Sequence, residues 1–233
     1  MNEKISIGVS TCLLGEEVRY DGGHKFNPWI VNVLGKIAEL IPACPEHECG
    51  MSIPRGPMRL EGTPDNTRLI VIDSGMDLTA KLNKWVGFKI KKLKKENLDG
   101  YIFKTKSPSC GLKEVELFGK NGKVRRNGKG LFARAFVENF SFIPVVDERQ
   151  LENPAIREKF IDSVYVMKHY RKMMNGKKTY NKLVTFHRDH EILILSNNAV
   201  KLKEMNILLS EGSAADPEKL YSHYFKKLIS LFF

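Results

Sequence analysis

All four cysteines of this 233-residue chain stand in turn-rich segments rather than in apolar runs. Cys12 lies in VSTCLLGEEVRYDGGHK (9–25), Cys44 and Cys49 in IPACPEHECGMSIPRGPMRL (41–60), and Cys110 in KTKSPSCGLKE (104–114). Free cysteine often serves as a small buried hydrophobe. Three of them, each beside Gly or Pro in a loop, point instead to a metal centre. Zinc would take a fourth protein ligand in a closed site or a water in an open one. An iron–sulfur cluster held by three cysteines would leave one iron open to substrate. Cys49 is either the fourth ligand or a bystander in its loop.

The neighbours of these cysteines could supply the remaining chemistry. Glu46, two residues past Cys44, could act as general base beside a metal, and Ser107, three before Cys110, could pass on a proton or orient substrate. Arg19, Tyr20, Asp21, His24, Arg55 and Ser109 form a candidate substrate-contact set, with Arg55 suited to an anion. Taken singly, each has a plainer role: a surface carboxylate, a turn residue, a tight DGG turn, a salt bridge.

The elements that must position these residues alternate in type. KISIGVS (4–10) reads as a short β-branched strand. NPWIVNVLGKIAELI (27–41) has helical spacing, with Asn27 as cap and Pro28 in the first turn. A short strand then runs into PACPE, and RLIVID (68–73) reads as a buried strand. Leu78, Leu82, Trp85, Val86, Ile90 and Leu93 share one helical face, with Asp77 as cap and Gly100 as stop. YIFKTK (101–106) reads as a strand, GKNGKVRRNGKG (119–130) as a basic loop, LFARAFVENF as a helix and FIPVVDE as a final strand. The expected fold is α/β, a mostly parallel sheet with flanking helices, followed by an all-helical C-terminal region. In such a sheet, ligand sites form beyond the carboxyl ends of the strands. Cys12, Cys44 and Cys110 each follow a strand, so their loops should share one edge.

Composition sets the wider frame. The hydrophobic fraction of 42% and charged fraction of 28% are those of an ordinary globular protein. No apolar run approaches the roughly eighteen residues of a membrane span, and the N-terminus lacks the build of a secretory signal. A cytoplasmic location, where thiols stay reduced, is the expectation. Net charge is +11, from 38 Lys and Arg against 27 Asp and Glu, which favours anionic partners without naming one. In the helical region, His187 and His190 of FHRDH are three apart on one face. The charged residues between them suggest a solvated surface, and His169 reads as a packing or surface residue.

The three cysteine segments, met in this order, resemble the thiouracil desulfidase (TudS-like) family, also known as domain of unknown function 523, over residues 4–147. LVTFHRDHEILILS (183–196) resembles the opening of the YbgA-like helical domain, domain of unknown function 1722, whose pattern continues past Phe233. The resemblance implies a desulfidase domain over 1–150, a connecting helix over 151–178 and a partial YbgA-like domain over 179–233. It implies a 4Fe-4S cluster on Cys12, Cys44 and Cys110, with Cys49 additional to that scheme. It also implies non-redox desulfuration of a small thiolated pyrimidine, assisted by Glu46 and Ser107. Two other readings stand beside it. One is a cluster-dependent sulfur-transfer enzyme acting on tRNA through the basic loop. The other is a non-catalytic zinc module built on all four cysteines.

Overall fold

The computed structural model describes residues 4–119 and 122–232. Two units follow one another along the chain, Met1–Asn153 and Pro154–Phe233. In the first, β1 (Ile5–Ser10), β2 (Ala38–Ala43), β5 (Gly100–Phe103) and β8 (Val145–Asp147) form an all-parallel sheet in the order β2-β1-β5-β8. The interior strands β1 and β5 are buried almost throughout, as parallel strands covered on both faces must be. Gly8 of β1 pairs with Tyr101 of β5, and a Cβ on Gly8 would fall 2.2 Å from the Tyr101 ring. Glycine there lets the tyrosine lie flat on the strand. Tyr101, Phe103, Phe132 and Phe136 then pack together, with ring centroids 4.1–6.1 Å apart and mostly edge-on or tilted. Such pairing adds about 0.5–1.5 kcal/mol per pair beyond area burial.

The sheet that bears the cysteine loops is as expected; a second sheet is not. β3 (Met58–Thr63), β4 (Asn66–Val71), β6 (Val115–Phe118) and β7 (Val124–Gly128) pair in the order β4-β3-β6-β7. Only β3 and β6 run parallel; the outer pairs are antiparallel. RLIVID therefore contributes to this sheet, and half of the described part of the basic stretch 119–130 is strand rather than loop. Lys120 and Asn121 lie outside the described residues. β7 escapes a pattern-based reading because four of its five residues are exposed and polarity alternates with nothing.

Helix ends also differ from expectation. The segment after Asn27 winds as a π-helical turn over Trp29–Leu34 and a short α1 (Gly35–Ile37). The Asn27 side chain does accept from the Trp29 and Ile30 amides, at 3.1 and 3.2 Å. The helix stops at Ile37, because residues 38–43 pair in register with β1 from Ile5↔Ala38 to Ser10↔Ala43. Tertiary pairing overrides the local helical spacing. α3 (Thr79–Leu93) buries Leu82, Val86, Ile90 and Leu93 as its pattern requires. Asp77 sits one residue ahead of the cap position and accepts from the Thr79 amide at 2.9 Å. Gly100 is not the stop: it opens β5, and the chain turns earlier, with Asn97 at φ +48°. α4 (Leu131–Asn139) completes the unit and shares one core with α3 and both sheets.

The second unit is helical throughout its described residues: α5 (Pro154–Met174), α6 (Tyr180–Asn197), α7 (Ala199–Glu211) and α8 (Pro217–Ile229), with a single 3-10 turn between the last two. Thr179, Asn198 and Asp216 cap α6, α7 and α8 through their side chains. Their apolar faces meet in a core of Met167, Tyr170, Leu183, Phe186, Met205, Tyr221 and Tyr224 among others. His187 is not on a solvated face. It is buried, with one ring nitrogen 3.0 Å from the Tyr224 hydroxyl and the other 2.7 Å from Asn206 Oδ1. No helix among the described residues is long and apolar enough to cross a membrane.

Candidate metal centre

Each of three strands of the parallel sheet ends just before a cysteine loop. β1 runs into a 3-10 turn, Thr11–Leu14, which carries Cys12 and closes on Gly15 at φ +96°. β2 leads through Cys44 into α2 (Pro45–Glu48), whose first residue is the proline that helix starts favour. Glu48 locks this corner. Its carboxylate accepts from the Cys44 amide at 2.9 Å and pairs with the buried Lys89 of α3 at 2.9 Å. β5 leads into the turn 107–111 that carries Cys110. There Ser107 Oγ accepts from the Ser109 and Cys110 amides, at 3.2 and 3.1 Å.

Two glycines explain why this last turn can form. A Cβ on Gly111 would lie 2.7 Å from the Ser107 carbonyl oxygen and 2.3 Å from a Val115 methyl. A Cβ on Gly130, the residue preceding α4, would lie 2.4 Å from the Ser109 carbonyl carbon. The close approach lets the first amides of α4 bond to the turn: Leu131 to Pro108 O at 3.2 Å and Phe132 to Ser109 O at 3.0 Å. The Cys110 loop is thus held by a helix N-terminus as well as by its own serine.

Cys12, Cys44 and Cys110 line one hollow of about 410 Å³, together with Arg19, Tyr20, Glu46, Arg55, Lys104 and Ser107. All four cysteines are free thiols. Burial pushes Cys12 up to about 12 and Cys44 up to about 11, and lifts Cys110 well above the ordinary thiol range. Cys44 adds to the rise at Cys12, and Cys44, Glu46 and Cys12 add to it at Cys110, while Lys104 and Arg19 oppose it at Cys12. Cys49 lies elsewhere. It packs against the core and its thiol donates to the Glu46 carbonyl at 3.3 Å, so it does not line the hollow.

Glu46 is the most elaborately held group. Arg55 donates twice to its Oε2, from Nε at 3.0 Å and Nη2 at 2.6 Å, with both side chains largely buried. Its Oε1 accepts from Ser107 Oγ at 3.4 Å and from Ser109 Oγ. Arg55 also donates to the Val18 carbonyl at 2.9 Å, the carbonyl that receives the Cys44 thiol. One guanidinium therefore ties the carboxylate to the wall of the hollow.

The other residues of the substrate-contact set divide. Arg19, Tyr20 and Arg55 line the hollow; Asp21, His24 and Ser109 do not. Ser109 is fully buried behind Glu46. Asp21 faces solvent and pairs with Arg19 at 2.8 Å; that bond, with help from the Gly23 amide, draws its carboxyl down to about 2. His24 accepts from the Phe26 amide at 3.2 Å. A further network went unread in the sequence. Lys104 pairs with Glu148, whose carboxylate also takes the Thr105 amide at 2.7 Å and hydroxyl at 2.6 Å. The signal was available: Glu148 follows the strand β8, at the same carboxyl edge as the cysteine loops.

This donor set fits an iron–sulfur cluster. Three sulfurs are soft ligands, and each comes from a separate loop. Zinc in a tetrahedral site would draw its sulfurs to about 3.8 Å of one another, at Zn–S near 2.3 Å. Among the described residues no three His, Cys, Asp or Glu side chains are arranged to hold a single ion. Thiolates that each meet a different iron need not converge so tightly. With Cys49 apart, the four-cysteine zinc module is not formed. One observation inside the unit bears on the same point: the hydroxyl of Tyr101, buried in the strand that leads to Cys110, has no hydrogen-bond partner. Its pKa is raised by burial first and then by Cys110, Glu48, Cys44 and Cys12, and it shares one core with Cys110.

Comparison with known proteins bears on the same residues. The Bacillus subtilis (strain 168) protein YbbK, itself uncharacterised, is 34% identical over 108 residues, spanning 44% of this chain and 71% of the relative. Among solved structures, that of the 4Fe-4S-dependent thiouracil desulfidase TudS matches with a TM-score of 0.52 at 29% identity, over 66% of this chain and 97% of that one. The model of the family described as 2-thiouracil desulfurase matches residues 7–148, more than half of the chain and all three cysteine loops, and the chain belongs to that family.

Proposed function

We propose that this protein is an iron–sulfur-dependent desulfidase that exchanges the sulfur of a thiolated pyrimidine for oxygen by hydrolysis, without net redox change. Family membership and the likeness to TudS support the reading. The observation that carries it is the hollow that three thiols from three strand exits share with Glu46 and Ser107. On this reading Cys12, Cys44 and Cys110 hold a 4Fe-4S cluster and Cys49 takes no part. Such a cluster supplies an iron without a protein ligand, a soft Lewis acid suited to thiocarbonyl sulfur.

The chain's own residues supply the acid–base steps. Arg55 occupies Glu46 Oε2 and Ser109 donates to Oε1, which leaves the second lone pair of Oε1, the one Ser107 reaches only at long range, as the proton acceptor. The 3.4 Å contact between Ser107 Oγ and Oε1 is long for a hydroxyl bond, and a water entering beside Ser107 would compete with it readily. Glu46 takes one proton from that water as its oxygen adds to the ring carbon. Ser107, fixed by two backbone amides, orients the water and relays the proton taken up by Glu46 towards the departing sulfur, regaining its own in the exchange, while the water's second proton leaves with the sulfur. The balance is thiocarbonyl plus water to carbonyl plus hydrogen sulfide. Tyr20 offers a ring face to a pyrimidine, and Arg19, aimed by Asp21, a donor to its carbonyl edge.

The test is anaerobic reconstitution with iron and sulfide, then assay of sulfide release from 4-thiouracil in water enriched in oxygen-18. The expected result is a brown protein, released sulfide, and the heavy isotope in the product. A fully loaded protein that leaves free and nucleoside forms of the thiolated base untouched would overturn the reading, as would a colourless protein holding one zinc.

A further inference from the structure

The helical unit contains a second group of metal-ligating side chains, far in sequence from any cysteine. His169 of α5 and His190 of α6 meet across the two helices, with His169 Nδ1 2.9 Å from His190 Nε2. The other nitrogen of His190, Nδ1, lies 2.7 Å from the Phe186 carbonyl oxygen, one helical turn back. A carbonyl can only accept, so Nδ1 carries the proton of His190 and its Nε2 presents a lone pair. His169 Nδ1–H must then be the donor between the rings. The pair borders an open cavity of about 400 Å³, lined also by Met173, Asn181, Lys182, Thr185, Phe186 and Asp189; the Lys182 ammonium is held by the Lys177 carbonyl at 3.1 Å.

We propose that His169 and His190 form a two-nitrogen chelate for a divalent transition ion of the imidazole-preferring class, such as Ni²⁺ or Zn²⁺, with water completing its shell. The orientation of His190 is the arrangement in which metal-bound histidines are usually held: one ring N–H on a backbone carbonyl, the other nitrogen turned to the ion. Two nitrogens on one tetrahedral ion at about 2.05 Å stand about 3.3 Å apart, so the nitrogens separate by a few tenths of an ångström while the rings turn to aim both lone pairs at the ion. The proton displaced from His169 Nδ1 is replaced, through solvent, by one on its Nε2. Both rings stay neutral and no proton is lost overall. The carboxylate of Asp189, which lines the same cavity, would accept from the ion's waters. With two protein donors, most of the ion's shell would be water, and the ion would exchange with solvent. Hard ions such as Mg²⁺ gain little from imidazole and are excluded by ligand type.

The test uses the full chain with its cluster loaded, kept anaerobic, so that the cysteines are occupied. Calorimetric titration with Ni²⁺ should give one ion per chain, and none with Mg²⁺ under the same conditions. His169→Gln and His190→Gln should each weaken nickel binding at least tenfold, and His223→Gln, an exposed histidine on α8, should leave it unchanged. The cluster's visible absorption, constant through each titration, shows that the ion goes to neither the cluster nor its thiols. The proposal is overturned if the wild type takes up no nickel, or if the His169→Gln, His190→Gln double variant binds it as tightly.

Discussion

Two buried polar clusters, one in each unit, have opposite characters. In the helical unit His187 is satisfied on both sides, by Tyr224 and by Asn206, and its ring has nothing left to give. In the α/β unit three thiols are buried or half-buried, and desolvation raises their pKa by more than Arg19 and Lys104 at Cys12, or Arg55 at Cys44, can offset; Tyr101 of the same unit keeps an unpartnered hydroxyl. A buried polar group left unmatched costs about 1–3 kcal/mol. A fold tolerates several such costs at one place when another component satisfies them. Networks closed and sealed from solvent specify packing; those left open, or bordering a cavity, can take a ligand.

The sharpest way to break this contrast is to remove one thiol at a time. Cys12→Ala, Cys44→Ala and Cys110→Ala should each lose iron on reconstitution and lower sulfide release by about 10³ or more, since every catalytic advantage of the bound group goes with it. Cys49→Ala should keep both. Iron and sulfide per chain, measured beside turnover, decide between a three-cysteine site and one that recruits the fourth. Next in size, Glu46→Gln should cut turnover by about 10²–10⁴ with iron content unchanged, the range expected for loss of a general base. A variant that loses iron along with activity would move Glu46 from proton transfer to assembly of the site.

A smaller effect should follow from Gly130→Ala, which touches no substrate. The added methyl meets the backbone of Ser109 and Cys110, so either the turn or α4 must shift, at a cost of about 1–3 kcal/mol for overpacking. Denaturant midpoints of the metal-free variant give the cost. Slower cluster uptake, followed by the growth of visible absorbance, would locate it in the cysteine turn.

What could be read from the residues follows the same division. The parallel sheet and its cysteine loops were legible because apolar β-branched strands and Gly- and Pro-rich exits are local signals, and the carboxyl-edge rule then brings them together. Glu46 and Ser107, 61 positions apart, were foreseeable only through that rule. The mixed second sheet was hidden: β7 is mostly exposed and β3 carries charges, so pairing rather than patterning makes them strands. The boundary at Ile37 was missed because β1 supplies the hydrogen bonds that end the helix. Polar partnerships were least visible. Nothing in FHRDH tells that His187 turns inward to Tyr224 while His190 turns to His169, because both partners come from other helices.

The closed network offers the gentlest test, through pH. Asn206 Oδ1 accepts, so His187 Nε2 carries the ring proton and Nδ1 receives the Tyr224 hydroxyl. Burial holds the His187 pKa below its ordinary value of 6.5, although the Asn206 bond works the other way. The unfolded chain therefore binds the additional proton more readily than the folded one, and protonation favours unfolding. The contribution of this histidine to stability should be complete above about 6.5, decline as pH falls through that value, and level off below the folded pKa. Asp162 of α5, raised by burial and then by Glu158, has the opposite sign and strengthens the fold as it protonates, so raw pH profiles mix the two. Subtracting the profile of His187→Gln from that of the wild type isolates the imidazole. Denaturant unfolding followed through the helical signal should show a difference that shrinks on going from pH 7.5 to 5.5. A difference that stays constant over that range would mean that His187 titrates no differently folded and unfolded. The contrast between a sealed histidine and a set of open thiols would then lose its first half.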